Sequence, residues 1–110
     1  MSQIYQQVPL TGKTQATGAV EFDVTTKPAA GCWNHLFQVI LSALPSAGVL
    51  QVDAKVPGAS SYSKYGELSL TADGETGLFY PMNGYFSAVR FTPVGLDSDK
   101  SYSIYMVSGG

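Results

Sequence analysis

Alternation is the property that most limits what this chain can become. Val20, Phe22 and Val24 interleave with Glu21, Asp23 and Thr25. Leu50, Val52, Ala54 and Val56 interleave with Gln51, Asp53 and Lys55, and Leu68 and Leu70 with Glu67, Ser69 and Thr71. Near the end, Tyr102, Ile104 and Met106 interleave with Ser103, Tyr105 and Val107. Successive side chains of a strand point to opposite sides, so a period of two describes strands with one buried face. The run Leu36-Phe37-Gln38-Val39-Ile40-Leu41 is apolar at both parities. That marks a central strand, or one whose outer face is covered as well.

Glycine and proline punctuate these runs along nearly the whole chain, at the spacing of about 8–12 residues that suggests a sandwich or barrel. The pattern predicts about eight strands, at 3–8, 18–26, 34–44, 49–56, 66–72, 75–81, 86–93 and 101–108. Asp73-Gly74 and Asn83-Gly84 are type I′ turn pairs, which predicts a meander over 66–72, 75–81 and 85–93. Pro81 cannot donate to a ladder, so its strand lies at an edge or ends there. Segment 57–65 reads as a Gly/Ser/Tyr loop, and residues 1–110 as one antiparallel β-sandwich domain. Strand order is not written in periodicity.

The formal charge is −2, and only 13% of residues are charged, against roughly 25% in an average soluble domain. Lys13, Lys27, Lys55, Lys64, Arg90 and Lys100 form no run. Phosphate contacts supply most nucleic-acid affinity, so that partner is not expected, and neither is a polybasic membrane contact. No stretch approaches the ~18–20 apolar residues of a membrane helix. The start, MSQIYQQVPL, has neither the charged nor the apolar region of a secretory signal. Synthesis in a cytoplasm is expected, with exit only inside a larger assembly. Ser, Thr, Gln and Tyr replace the missing charge, and such a surface costs less to desolvate. It suits a domain that lives in contact with other protein.

Sites of chemistry are scarce. One histidine and one cysteine cannot furnish a zinc centre, and no Asp-rich loop has calcium spacing. Asp97 and Asp99 in GLDSDK read as a solvated turn bonding its own backbone. Cys32 reads as a small buried hydrophobe, His35 as a satisfied core or edge residue, and Trp33 as a core plug. Glu21 and Asp23 share a strand face and could be a hydrolase pair, as could Glu67 and Glu75, but they read as solvated strand and turn positions. No cofactor and no enzymatic activity are expected. Of seven tyrosines, Tyr62, Tyr65, Tyr80 and Tyr85 lie close to predicted loops. They fit a protein or carbohydrate contact surface, and equally the ordinary preference of tyrosine for strands.

Residues 83–110 read NGYFSAVRFTPVGLDSDKSYSIYMVSGG: an alternating strand ending in Arg90-Phe91-Thr92-Pro93, a glycine-containing loop and a final Tyr-x-Ile-Tyr strand. This resembles the last hairpin of small β-sandwich virion proteins of tailed bacteriophages. The length, low charge and composition of the whole chain are similar to the jelly-roll capsid decoration or stapling proteins among them. The resemblance implies a jelly-roll-like fold and a structural protein on the capsid surface of the virion, bridging capsid subunits. Its partner would be the major capsid protein, with a homo-oligomer as a further way to cover open edges. Contacts would come from loops, sheet edges and chain ends, with Ile4, Tyr5, Tyr62, Tyr65, Tyr80 and Tyr85 as candidate interface residues. The alternative is a tail or fibre adhesion domain, or a glycan-binding sandwich that uses exposed tyrosines.

Overall fold

The computed structural model describes residues 4–6, 9–24 and 32–109. Its strands are β1 (Ile4–Gln6), β2 (Leu10–Lys13), β3 (Val20–Asp23), β4 (Asn34–Leu41), β5 (Val49–Lys55), β6 (Ser63–Ser69), β7 (Gly77–Asn83), β8 (Ala88–Val94) and β9 (Tyr102–Gly109). β1 and β2 pair with opposite ends of β9, through Gln6↔Val107 and Leu10↔Ile104, so together they fill one strand position. The order β1/β2–β9–β4–β7 makes one sheet, and β3–β8–β5–β6 the other. Beyond β2, only β5 and β6 are consecutive strands that pair; every other connection crosses between sheets. Eight antiparallel positions connected in this way are a jelly roll.

The alternating residues build the core. Phe22 of β3 and Phe91 of β8 meet Phe37 of β4 across the sandwich, with ring centroids 4.9–6.2 Å apart. Val39, Leu50, Val52, Val89 and Ile104 fill the space around them, all buried. Burying each such side chain contributes roughly 1.5–3 kcal/mol.

Three expectations change. The meander over β6, β7 and β8 does not form, because these strands alternate between sheets. Neither Asp73 nor Asn83 has the positive φ of a type I′ turn; Gly74 and Gly84 alone take it, at 65° and 148°. Leu70, just past β6, is buried in the core, and that anchor steers the chain across the sandwich instead of back along β6. The final pair, β8 and β9, is likewise a crossover and not a hairpin. Finally, β2 is a strand that the pattern did not announce, since LTGK has too little alternation to register. The other boundaries fall within a few residues of expectation, apart from positions 3, 7–8 and 25–26, which lie outside the described residues. Pro81 does sit on an edge strand, β7.

Candidate interaction surface

β4, β7 and β9 carry no Asp, Glu, Lys or Arg at any position. Their core-facing residues are apolar except for the hydrogen-bonded pair His35 and Ser108, and their outward residues include Leu36, Ile40, Phe79, Pro81, Tyr105 and Val107. Register places these outward residues in rows. Leu36 stands between Pro81 and Val107, Gln38 between Phe79 and Tyr105, and Ile40 between Gly77 and Ser103. Leu36, Ile40, Phe79 and Tyr105 are exposed, Phe79 at 60%. Shallow depressions of about 330 and 100 Å³ run over this face, with Leu36 and Val107 common to both. An uncharged face with exposed apolar side chains of this kind is a candidate interaction surface.

The β7 edge is guarded. Gly84 N–H donates to the Trp33 carbonyl and Leu41 N–H to the Thr76 carbonyl, at 2.8 Å each. By antiparallel alternation, Gly77, Phe79, Pro81 and Asn83 then present their main chains to the open side of β7. Pro81 has no N–H, and the Asn83 N–H donates to the Tyr65 hydroxyl at 3.4 Å. Tyr65 reaches there because the β5–β6 register slips between Val52 and Asp53, which leaves it as a bulge residue without a cross-strand partner. On the other edges, β3 has four residues, β1/β2 is interrupted, and β6 is a seven-residue edge strand. Strand addition therefore has little to grip at β7, β3 and β1/β2, and β6 is the long edge.

The expected tyrosines do not form one patch. Ile4 and Tyr5 lie on β1 opposite Gly109 and Ser108, and their side chains lie outside the described residues. Tyr65, Tyr80 and Phe86 gather where β6 and β7 close the sandwich, Tyr65 lying 6.2 and 5.8 Å from the other two rings. Burial, then the neighbouring Tyr65, raises the Tyr80 hydroxyl pKa. Tyr85 packs edge-on against Trp33, centroids 5.0 Å apart. Trp33 is 47% exposed, so it is not a core plug. It precedes β4, beyond the end of the sheet, where no opposing layer covers it.

Tyr62 belongs to the outer face of the other sheet. Its ring lies 4.3 Å from Arg90 Cζ and 5.0 Å from Lys55 Nζ, and its hydroxyl donates to the Glu21 carboxylate. Burial and that hydrogen bond push its pKa well above the ordinary tyrosine value. Arg90 also donates to Asp53 Oδ2 from Nε and Nη2, at 3.3 and 3.1 Å, and Gln51 donates to Asp53 Oδ1. This network covers Asp53, which is only 3% exposed. Glu21 and Asp23 both point outward on this face.

Among the remaining positions, Cys32 is buried and His35 is buried and hydrogen-bonded, as expected. His35 Nε2 lies 2.9 Å from the Gly84 carbonyl and must donate there, so in the neutral ring Nδ1 accepts from Ser108 Oγ at 2.8 Å. Glu67 pairs with Lys64. The Asp97 carbonyl accepts from Lys100 N–H within its own turn at 3.1 Å, but its side chain bonds outside it. Its carboxylate accepts from Ser46 N–H and Ser46 Oγ–H at 2.8 Å each, which ties two loops together and lowers its pKa. No group of three metal-ligating side chains comes together among the described residues.

Solved structures share this architecture. The SPBc2 prophage-derived protein YomS aligns over all of this chain and 96% of its own, at 10% identity and TM-score 0.55. A family 29 carbohydrate-binding module complexed with mannohexaose aligns over 98% of this chain and 80% of its own, at 11% identity and TM-score 0.51. At such identities the likeness is one of fold. No protein-family model and no curated protein matches the chain.

Proposed function

We propose that this protein is a non-enzymatic structural component of a tailed-phage virion that docks on the outside of the capsid and bridges its subunits. The observation that carries the reading is the uncharged outer face of β9, β4 and β7. Phe79, Tyr105, Leu36 and Ile40 stand there against water without a covering layer. The fold shared with a prophage-derived protein supports the same assignment.

The area favours bridging over a single contact. Three strands about 4.8 Å apart and seven residues long at about 3.3 Å each span roughly 330 Å² of flat sheet. A stable standard interface buries about 800 Å² per partner. One face is therefore short of a stable complex, and contacts to a second subunit raise the affinity through effective concentration. A domain of this kind stabilises the assembled shell by mass action, because it binds only that state. The test is sedimentation of purified protein with undecorated capsids of the phage that encodes it. Saturable co-sedimentation, with a higher capsid melting temperature, is expected; protein left wholly in the supernatant refutes the reading.

A further inference from the structure

We propose that Trp33, Asn34, Asn83 and Tyr85 form a binding site for a neutral saccharide at one end of the β4–β7 pair, beyond the Leu36–Pro81 row of the docking face. The site stands independently of the capsid reading and places the glycan-binding alternative on named residues. Asn34 and Asn83 are direct cross-strand partners, both exposed. Trp33 and Tyr85 lie just beyond them, 47% and 55% exposed. Their rings meet at 68°, so the ring that offers its edge keeps its own faces free.

The four side chains have the chemistry of sugar recognition. A pyranose presents C–H groups on its faces and hydroxyls around its rim. The negative face of an aromatic ring attracts the first. A side-chain amide, with two donors and an acceptor, matches the second. None of the four is charged, which favours a neutral ligand over an acidic one.

The site is also held before any ligand arrives. Gly84, between Asn83 and Tyr85, donates its N–H to the Trp33 carbonyl at 2.8 Å. The Gly84 carbonyl accepts from His35 Nε2 at 2.9 Å. Asn83 N–H is held by the Tyr65 hydroxyl. The turn that carries Tyr85 is thus pinned from three sides, and little ordering remains for the ligand to impose.

Trp33 is the sole tryptophan, so its fluorescence reports on the site directly. The experiment titrates the full chain with neutral oligosaccharides built from glucose, mannose, galactose or N-acetylglucosamine, with oligogalacturonate as the acidic comparison. A saturable change with at least one neutral sugar is expected. Tyr85→Ala and Asn83→Ala, which keep the fluorophore and truncate exposed side chains, should weaken binding by about tenfold or more, equivalent to about 1.4 kcal/mol. Phe79→Asp, on the docking face, should bind sugar as the wild type does. No saturable change with any neutral sugar, preference for the acidic one, or binding undiminished in Tyr85→Ala overturns the proposal. Loss of capsid sedimentation in Tyr85→Ala also overturns it, by making this end part of the docking surface; loss in Phe79→Asp alone bears on the capsid reading only.

Discussion

On the outer face of the β3–β8–β5–β6 sheet, Glu21, Tyr62, Arg90, Asp53 and Gln51 hold one another in a chain of hydrogen bonds, ion pair and cation–π contact. On the outer face of the other sheet, β4, β7 and β9 offer no charge with which to build such a chain. Both sheets arise from the same alternation and share one core. The charged face bonds its own side chains to one another. The uncharged face leaves apolar area exposed that only another surface can remove from water. The asymmetry sets a self-bonded side against the side proposed for docking.

Charge placed on the uncharged face is the most direct way to break this comparison. Phe79→Asp or Tyr105→Asp should lower capsid affinity by about 100-fold or more, because an unpaired buried charge costs several kcal/mol. Both sites are exposed in the free protein, so the melting temperature should move by only a few degrees. Glu67→Lys on the other sheet should sediment with capsids like the wild type. Equal losses in all three variants would remove the functional meaning of the asymmetry.

Stability should show the reverse ranking. Arg90→Ala strips buried Asp53 of its cation and Tyr62 of its stacking partner, and should cost about 2–3 kcal/mol in urea unfolding. Ile40→Ser, on the uncharged face, should cost no more than about 1 kcal/mol. A smaller effect tests how the two sheets are closed along β6 and β7. A Cβ at Gly66 would fall onto the Tyr80 hydroxyl, so Gly66→Ala should cost about 1 kcal/mol. Most of that should return in a Tyr80→Phe background, read as a double-mutant cycle.

The smallest effects are pH-dependent. Ser46 holds the Asp97 carboxyl below its ordinary pKa of 3.8. The unfolded chain therefore takes up this proton first as pH falls. The contribution is whole above 3.8, declines as pH falls through the lower folded value, and is absent in Asp97→Asn. At the alkaline end, burial raises the Tyr102 hydroxyl to about 12. Its contribution is whole below the ordinary value of 10 and is lost as pH rises to about 12. Tyr102→Phe should remove this alkaline slope. Since the hydroxyl has no partner among the described atoms, the variant should match or exceed wild-type stability at neutral pH, by up to about 1 kcal/mol. Urea titrations across the pH range check both.

Much of the fold was legible in particular residues. Val20-Glu21-Phe22-Asp23 and Leu50 to Lys55 declared which side faces the core, because a strand has only two sides. Pro81 announced an edge, because it lacks a donor. The double apolarity of Leu36 to Leu41 was the one visible sign of the docking face. Phe79 and Tyr105 were not visible in that role: each looks like an ordinary strand residue until register sets Gln38 between them. Trp33 was misplaced because alternation says nothing about where a sheet ends. The tyrosines proved a poor guide to a common surface, since Tyr62, Tyr65 and Tyr85 belong to three different parts of the molecule.

Local chemistry was enough for an all-β sandwich of about eight strands with a lightly charged surface. Periodicity, proline and glycine act within a few residues, and those properties need no more. Strand order is different. Asp73-Gly74 and Asn83-Gly84 permitted a hairpin, but burial of Leu70 and closure of two sheets around Phe22, Phe37 and Phe91 sent the chain across the sandwich instead. The same closure put β4, β7 and β9 side by side. Three strands without charge, separate in the sequence, became one continuous face only through long-range pairing, and no residue along the chain could specify that alone.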